Sequence, residues 1–475
     1  MNFLLLIEQQ LWAADILTPT CTKPCSLVAM LAETSTLNNN FMYKLLLGLS
    51  LFSSITCLGQ KNKIVITDDI PNFWKAYDQI IKTKDTLKQI EIIQTQYIDK
   101  GTEGLQGIIK AKQYTALSYT KSINRYPMFW NSIRKNTLNA NDYSVKIEKG
   151  VERLRKIYPS LKPAKVYFTI GALRSNGTIE TNKVLIGSEL AMADSRVITS
   201  EFSKNLSHLP SYFATNPVKN ITFLNVHEFI HTQQKTTIGN NLLSQTIIEG
   251  VAEYITTLAL KIKSPNQQIS FGKLNDEKIK KAFVKEMFST NFDNWIWNSP
   301  ENEFKMRDLA YYVGYAICEK YYSLASDKKL AIQKMIELDY NNQDSLIKFV
   351  QDTKYFYNPL LVYKNEFEKS RPRIIRIEPF ENHKQDVSSD IKTVTLFFSE
   401  PMSKNSSDFD IGPIGDKNVM WLQKRIGFSE DGLSFSMEIK PLEPNKQYQL
   451  LVTDAFLNKV GIPLKPYLID IRTSK

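Results

Sequence analysis

The sequence predicts an α+β fold, mostly helical around a small β-sheet, followed by an all-β module. Three observations carry this. Apolar residues recur at three and four through the first hundred residues after position 70, as in "FWKAYDQIIKTKDTLKQIEIIQTQYI". The period then shortens to that of strands in "AKVYFTIGA" and "NKVLIGSELA" before helical spacing returns. Beyond Arg371 short alternating runs are separated by Pro, Asn, Asp and Gly, as in "KTVTLFFSEPM" and "QYQLLVT". With 475 residues, 43% hydrophobic and 23% charged, the chain has material for two or three globular domains.

In chain order, "MYKLLLGLSLFSSITCLGQ" from Met42 reads as a secretory signal over residues 42–59, with Lys44 as the charged start, Leu45 to Ile55 as the apolar core and Cys57-Leu58-Gly59 before the cut. The mature chain is expected to begin at Gln60, and residues 1–41 are read as an overextended start. Lipidation at Cys57 is the rival reading, disfavoured by Thr56 before it, where a small Gly, Ala or Ser is usual. The expected location is secreted, periplasmic or cell-surface. Apart from Cys21, Cys25 and Cys57 the chain holds only Cys318, in the helical pattern "YAICEKYY", so we expect a core thiol and no internal disulfide.

Lys and Arg number 60 against 49 Asp and Glu, a net charge of +11. The lysines are scattered through helical segments rather than gathered in a stripe, which points to a solvated surface and away from nucleic acid as partner. No apolar run is long enough to span a membrane.

Residues 60–160 are expected to form a helical N-terminal region, 161–370 a catalytic domain and 371–475 the all-β module. Within 161–370 the runs "AKVYFTIGA" and "NKVLIGSELA" flank "LRSNGTIET", whose Asn176-Gly177 is a turn signal, so the sequence predicts a β-hairpin over Lys165 to Ala191. His208 in "NLSHLP" and His383 in "FENHKQ" stand alone in loop-like stretches and are read as surface residues.

The chemistry gathers in "FLNVHEFIHTQQ". His227 and His231 are four apart, so on a helix both imidazoles face one ion, with Glu228 to the side where an attacking water can sit. Catalytic zinc takes three protein ligands and keeps a position for water, which leaves this pair one ligand short. The segment "IIEGVAEYI", 18 positions on from His231 to Glu249, supplies two carboxylates, Glu249 and Glu253, four apart on one face. The turn is expected in "IGNN", small Gly250 and Ala252 should let the second helix approach the first, and Glu253 can orient a ligating histidine through its other ring nitrogen.

"HEFIH" followed by "EGVAEY" resembles the gluzincin metallopeptidases. That resemblance implies Zn2+ as cofactor, His227, His231 and Glu249 as its ligands, and Glu228 as general base. With "DLAYYVGYAI" the motifs are similar to a bacterial family of predicted zinc-dependent proteases, over roughly residues 160–340. In gluzincins a later helix often supplies a donor to the developing oxyanion. "LAYYVGY" offers Tyr311, Tyr312 and Tyr315; Tyr311 is favoured, and aromatic core packing is the competing reading. The strand "KVLIGSELA" stands where these enzymes place the edge strand above the cleft, suited to an extended peptide or protein substrate. "IGALRSNG" lacks the glutamate with which related aminopeptidases grip a free amine, implying cleavage within chains.

Residues 371–475 resemble bacterial Ig-like domains, which implies a seven-stranded sandwich able to bind a surface polymer or protein. The alternative function is a surface-associated binding protein with a structural or vestigial zinc site.

Overall fold

The computed structural model describes residues 63–298 and 302–475. The signal 42–59, the expected start at Gln60 and Cys21, Cys25 and Cys57 lie outside the described residues.

The chain is a mixed α/β structure. The described residues open with a short strand β1 (Val65–Ile66) and the helices α1 (Asp69–Ile80), α2 (Thr86–Ile93), α3 (Glu103–Lys112), α4 (Ala116–Arg125), α5 (Pro127–Leu138) and α6 (Ser144–Ile157). Local chemistry sets their ends: Asp85 accepts the amides of Leu87 and Lys88, Thr115 and Ser118 form a reciprocal capping box, and Pro127 opens α5. The helical spacing of α1 buries Ile70, Phe73, Trp74, Tyr77 and Ile80, and Phe73 meets Trp74, Tyr97 and Trp130 with ring centroids 5.1 to 5.2 Å apart.

Three strands follow, β2 (Lys165–Thr169), β3 (Gly177–Glu180) and β4 (Lys183–Gly187). With β1 they form a sheet in the order β1-β2-β4-β3, in which β2 is parallel to β1 and β4 while β3 is antiparallel to β4. This corrects the predicted hairpin. The runs around Lys165 and Lys183 are parallel interior neighbours, Gly177 opens a strand rather than a turn, and the reversal falls at Thr181, which adopts φ 51°. The physical reason is burial. β2 and β4 are covered on both faces, as continuous apolar strands of parallel sheets are, whereas half-exposed "GTIE" takes the edge. The edge strand is therefore β3, not the "KVLIG" strand.

Short helices α7 (Ser188–Ala191) and α8 (Leu209–Ala214) lead to α9 (Ile221–His231) and α10 (Leu242–Leu260). Then come α11 (Gln267–Phe283), α12 (Leu309–Leu324), α13 (Lys328–Ile336), α14 (Gln343–Asp352) and α15 (Leu360–Ser370). One buried cluster runs from Val65 to Phe367, so residues 63–160 share their core with 161–370 and lend β1 to the same sheet. Cys318 is a buried free thiol in α12.

After Arg371 the structure is antiparallel sheet. Strands β5 (Ile374–Glu378), β6 (Thr393–Phe398), β8 (Leu422–Phe428) and β9 (Ser434–Ile439) pair in the order β5-β6-β9-β8, and β7 (Phe409–Asp410), β10 (Gln447–Val452) and β11 (Tyr467–Arg472) in the order β11-β10-β7. Alternate residues of β6, β9 and β10, such as Val394, Leu396, Met437, Leu450 and Val452, enter a second buried cluster. This module touches the helical body. Thr290 Oγ1 donates to Asp454 at 2.8 Å, Asn291 Nδ2 to the Gly461 carbonyl at 3.0 Å and Arg371 Nε to the Pro463 carbonyl at 3.2 Å, while Ile462 packs on the helical core. Among the described residues no helix is long and apolar enough to cross a membrane.

Candidate metal centre

α9 is buried along most of its length, with only Thr222, Leu224 and Glu228 half-buried, so its histidines project from a rigid support. The connection to α10 is shaped by Gly239, whose amide donates to Gln245 Oε1 at 2.8 Å and whose missing side chain leaves room for the α10 backbone, and by Asn241, which caps Ser244 at 2.9 Å. α10 returns antiparallel and is almost wholly buried.

Three donor atoms meet between these helices. The two Nε2 atoms of His227 and His231 are 3.1 Å apart, and Glu249 Oε2 lies 3.5 Å from the first and 3.2 Å from the second. Ligand atoms about 2.0–2.2 Å from one tetrahedral ion are separated by about 3.3–3.6 Å, so this triangle is the right size for one small cation. All three side chains are buried, and Glu249 Oε2 has no hydrogen-bond donor although it is closed off from solvent. A buried carboxylate oxygen without a donor costs free energy unless something else satisfies it, and an ion does so.

The other polar atoms of these three side chains are held. His227 Nδ1 lies 3.3 Å from Glu253 Oε2, and Glu253, fully buried, accepts Asn266 Nδ2 at 3.0 Å and the Ser264 hydroxyl. His231 Nδ1 is 2.7 Å from Gln234 Oε1, and Gln234 Nε2 is tied to the Ile248 carbonyl and Tyr340. Gln245 Nε2 donates to Glu249 Oε1 at 3.1 Å. Such partners orient a ligand's lone pair toward the ion. Gln234 and Gln245 went unrecognised in the sequence. Gln245 sits four positions before Glu249 on the same face, a signal that was available, whereas Gln234 lies past the end of α9 and only the turn returns it.

The electrostatics follow from the same contacts. Burial pulls the His227 imidazole down, but the Glu249 and Glu253 carboxylates beside its two ring nitrogens outweigh it and carry it up to about 10. His231 is likewise raised against burial by Glu249, and Glu249, pushed up by burial, is brought well below the usual carboxylate range by the two imidazoles.

Glu228 lies beside this triangle, half-buried, with its carboxylate against the first residue of the edge strand. A Cβ on Gly177 would sit 3.1 Å from Glu228 Oε1. The α12 tyrosines separate. Tyr311 stacks on the His227 ring with centroids 6.1 Å apart and planes 22° from parallel, and burial, with Glu249 beside it, keeps its phenol protonated far above the usual value. Tyr312 donates to Asp276, and Tyr315 lies against Glu319 and Lys273, both away from the triangle. Gly250 does not face α9 as the sequence suggested; it meets α12 at Gly314. His208 and His383 are exposed and take no part.

No protein-family model and no curated protein matches the chain. Among solved structures it is similar to the S-layer protein rSbsC(31-844), at 9% identity and a TM-score of 0.16, over 86% of this chain and 45% of that one. Domains 1–6 of the surface layer protein SbsC give 10% identity and a TM-score of 0.16, over 86% of this chain and 41% of that one. The chain thus spans less than half the length of these structures, and a likeness this slight carries no argument about fold or function.

Proposed function

We propose that the chain is an exported zinc-dependent metallopeptidase of gluzincin type that cleaves peptide bonds within chains, joined to an Ig-like module over residues 371–475. The observation that carries this reading is the buried triangle of His227, His231 and Glu249, with the donor-free Glu249 Oε2 at one corner. Two imidazoles and one carboxylate are a catalytic zinc set, since three protein ligands leave one position for a reactant. The two facing antiparallel sheets with a common core support the Ig-like reading of the module.

Zinc, when bound, would supply a Lewis acid for the scissile carbonyl and bring the pKa of its water down to about 7. The chain's own residues would do the rest. Glu228 accepts the proton of the attacking water and hands it to the leaving amine. Tyr311, protonated and stacked on His227, donates to the oxygen that gains charge. Glu253 and Gln234 keep each imidazole turned with Nε2 inward. The outer edge of β3, paired only with β4 among the described residues, offers N–H and C=O groups to an extended peptide beside Glu228.

The deciding measurement is peptide hydrolysis by the zinc-loaded protein and by Glu228→Gln with zinc content measured in both. Cleavage by the wild type that disappears in Glu228→Gln at unchanged zinc supports the enzyme. A zinc-loaded wild type that cleaves no member of a broad peptide library leaves the alternative, a surface-associated binding protein.

A further inference from the structure

Glu189 is a fully buried carboxyl group that the chemistry proposed above does not use. It stands in α7, directly after β4, and both its oxygens are engaged by the loop between β2 and β3. Gly171 donates its amide to Oε2 at 2.8 Å, and Leu173 donates its amide to Oε1 at 3.1 Å. The approach is close: a Cβ on Gly171 would sit 2.7 Å from Glu189 Oε1 and 2.7 Å from Tyr114 Oη. Backbone amides rather than a cation hold the charge, and burial pushes the carboxyl up to about 7. A carboxyl group buried in this way costs free energy, which the loop amides offset only in part.

The loop needs that grip. Leu173 adopts φ 65°, the left-handed region that a residue with a side chain enters at a cost, and its amide is one of the two that Glu189 accepts. Its neighbours are tied as well: Tyr97 Oη accepts the Ile170 amide at 2.8 Å, and Tyr114 Oη accepts the Arg174 amide at 3.3 Å. The loop then enters the edge strand. Ser175 Oγ donates to the Gly177 carbonyl at 2.8 Å, and Gly177 is the residue whose Cβ would meet Glu228. The Gly187 amide donates to the Asn176 carbonyl at 3.2 Å, which makes 176 and 187 a hydrogen-bonded pair. By alternation along the ladder, Gly177 and Ile179 turn their own N–H and C=O groups toward the open edge.

Resting on the peptidase reading above, we propose that Glu189 is a positioning residue: by holding Gly171 and Leu173 it fixes where Gly177 and Ile179 stand relative to Glu228, and so where an extended substrate lies. His227, His231 and Glu228 ride on α9, Glu249 on α10 and Tyr311 on α12, so a loosened loop shifts the substrate strand and leaves the reacting groups in place. The cost falls on binding of peptides long enough to pair with Gly177 and Ile179. An ionised carboxyl accepts both amides more strongly than a protonated one, so the grip tightens as pH rises through the Glu189 value. The groups around it do not titrate there. The phenols of Tyr97, Tyr114 and Tyr119 are kept protonated by burial, and Arg174 lies over the Tyr114 ring; Asp69, near Tyr97 and Tyr119, is engaged by Thr102.

The test uses the full zinc-loaded protein and two quenched fluorescent peptides, one short and one extended, that share the residues around the cleaved bond. The wild type should favour the extended peptide in kcat/KM by roughly ten- to a hundredfold, the worth of two backbone hydrogen bonds, chiefly through KM. That ratio should rise as pH climbs through about 7. Both peptides meet the same reacting groups, so ionisations of those groups cancel in the ratio. Glu189→Gln has the same shape but accepts only one of the two amides, and should collapse the ratio and its pH dependence at unchanged zinc content. Hydrogen exchange gives a second readout without turnover: residues 170–177 should open faster in Glu189→Gln while α9 and α10 keep their protection. A wild-type ratio in Glu189→Gln overturns the proposal and leaves the peptidase standing. So does an equal loss for both peptides with zinc lost or exchange faster throughout, which marks a carboxyl that serves the core alone. Should Glu189→Gln fail to fold, a wild-type ratio that is flat with pH overturns the proposal. Failure of the zinc-loaded wild type to cleave any peptide overturns the peptidase reading, and this role of Glu189 with it.

Discussion

Gly250 of α10 and Gly314 of α12 meet backbone to backbone: a Cβ on Gly250 would lie 2.1 Å from the Gly314 carbonyl carbon, and one on Gly314 would lie 2.0 Å from the Thr246 carbonyl oxygen. This contact sets the distance between the helix that carries Glu249 and Glu253 and the helix that carries Tyr311. The triangle of His227, His231 and Glu249 and the phenol beside it are thus held together by the absence of two side chains.

Gly250→Ala and Gly314→Ala should each destabilise the protein by about 1–3 kcal/mol, because the clash is with backbone that cannot step aside. On an open helix face the same change would stabilise by about 0.5–1 kcal/mol, so the sign is informative. Urea unfolding of the two variants measures it, and a gain in stability would mean the helices are further apart than described.

His227→Ala, His231→Ala and Glu249→Ala should each abolish stoichiometric zinc, because two remaining protein ligands cannot hold the ion. Glu253→Ala should weaken binding by only about 10- to 100-fold, since it touches the ion only through His227. Metal analysis after gel filtration, followed by titration against a chelator, separates the two classes. If Glu253 proves indispensable and Glu249 does not, their roles are exchanged.

Tyr311→Phe should lower kcat by roughly 10²–10³ with little change in KM, as loss of an oxyanion donor does, while zinc content stays the same. Tyr315→Phe, which touches Glu319 and not the triangle, should leave kcat near the wild-type value. Steady-state kinetics on one peptide is sufficient. Equal effects from the two tyrosines would remove Tyr311 from the mechanism.

The metal-free protein should be most stable in mildly acid solution. The imidazoles of His227 and His231 are raised above their unfolded value of 6.5, so their contribution is complete below that pH and is lost as pH climbs through the folded values, about 10 for His227. Glu249 is lowered from 4.5, so its contribution is present above that pH and is lost as the solution is acidified. Melting temperature against pH in the presence of chelator should show this window, and Glu249→Gln should flatten it. Zinc must displace the same protons, so its affinity should rise with pH.

Ending the chain at Lys369 should leave the helical core folded and able to take up zinc, since among the described residues Ile462 alone of the C-terminal module packs against that apolar core. Residues 371–475 supply nothing to the triangle, but Asp454 and Gly461 of the module contact Thr290 and Asn291. The segment they brace continues to Trp295, whose carbonyl accepts the Ala310 amide in the first turn of α12, one residue before Tyr311. A loosened Tyr311 should reduce kcat on short peptides by up to about a hundredfold, the scale for a small misplacement of a reacting group. Full kcat in the truncated chain would show that α12 holds its place without the module.

The sequence by itself determined whatever depends on neighbours a few residues away. The spacing of His227 and His231, the shared face of Glu249 and Glu253, the caps at Asp85 and Asn241 and the alternation of β6 and β9 all follow from helix and strand periods, which are local. Tertiary structure alone decided which surfaces meet. It made β2 and β4 parallel partners and put the four residues of β3 at the edge, because both apolar runs needed cover on two faces. It turned Gly250 toward Gly314 rather than toward α9, brought Gln234 back under His231 through a turn, and laid Tyr311 rather than Tyr315 on the His227 ring. Each of these is a contact between segments far apart in the chain, settled by where the core closes rather than by any period within a segment.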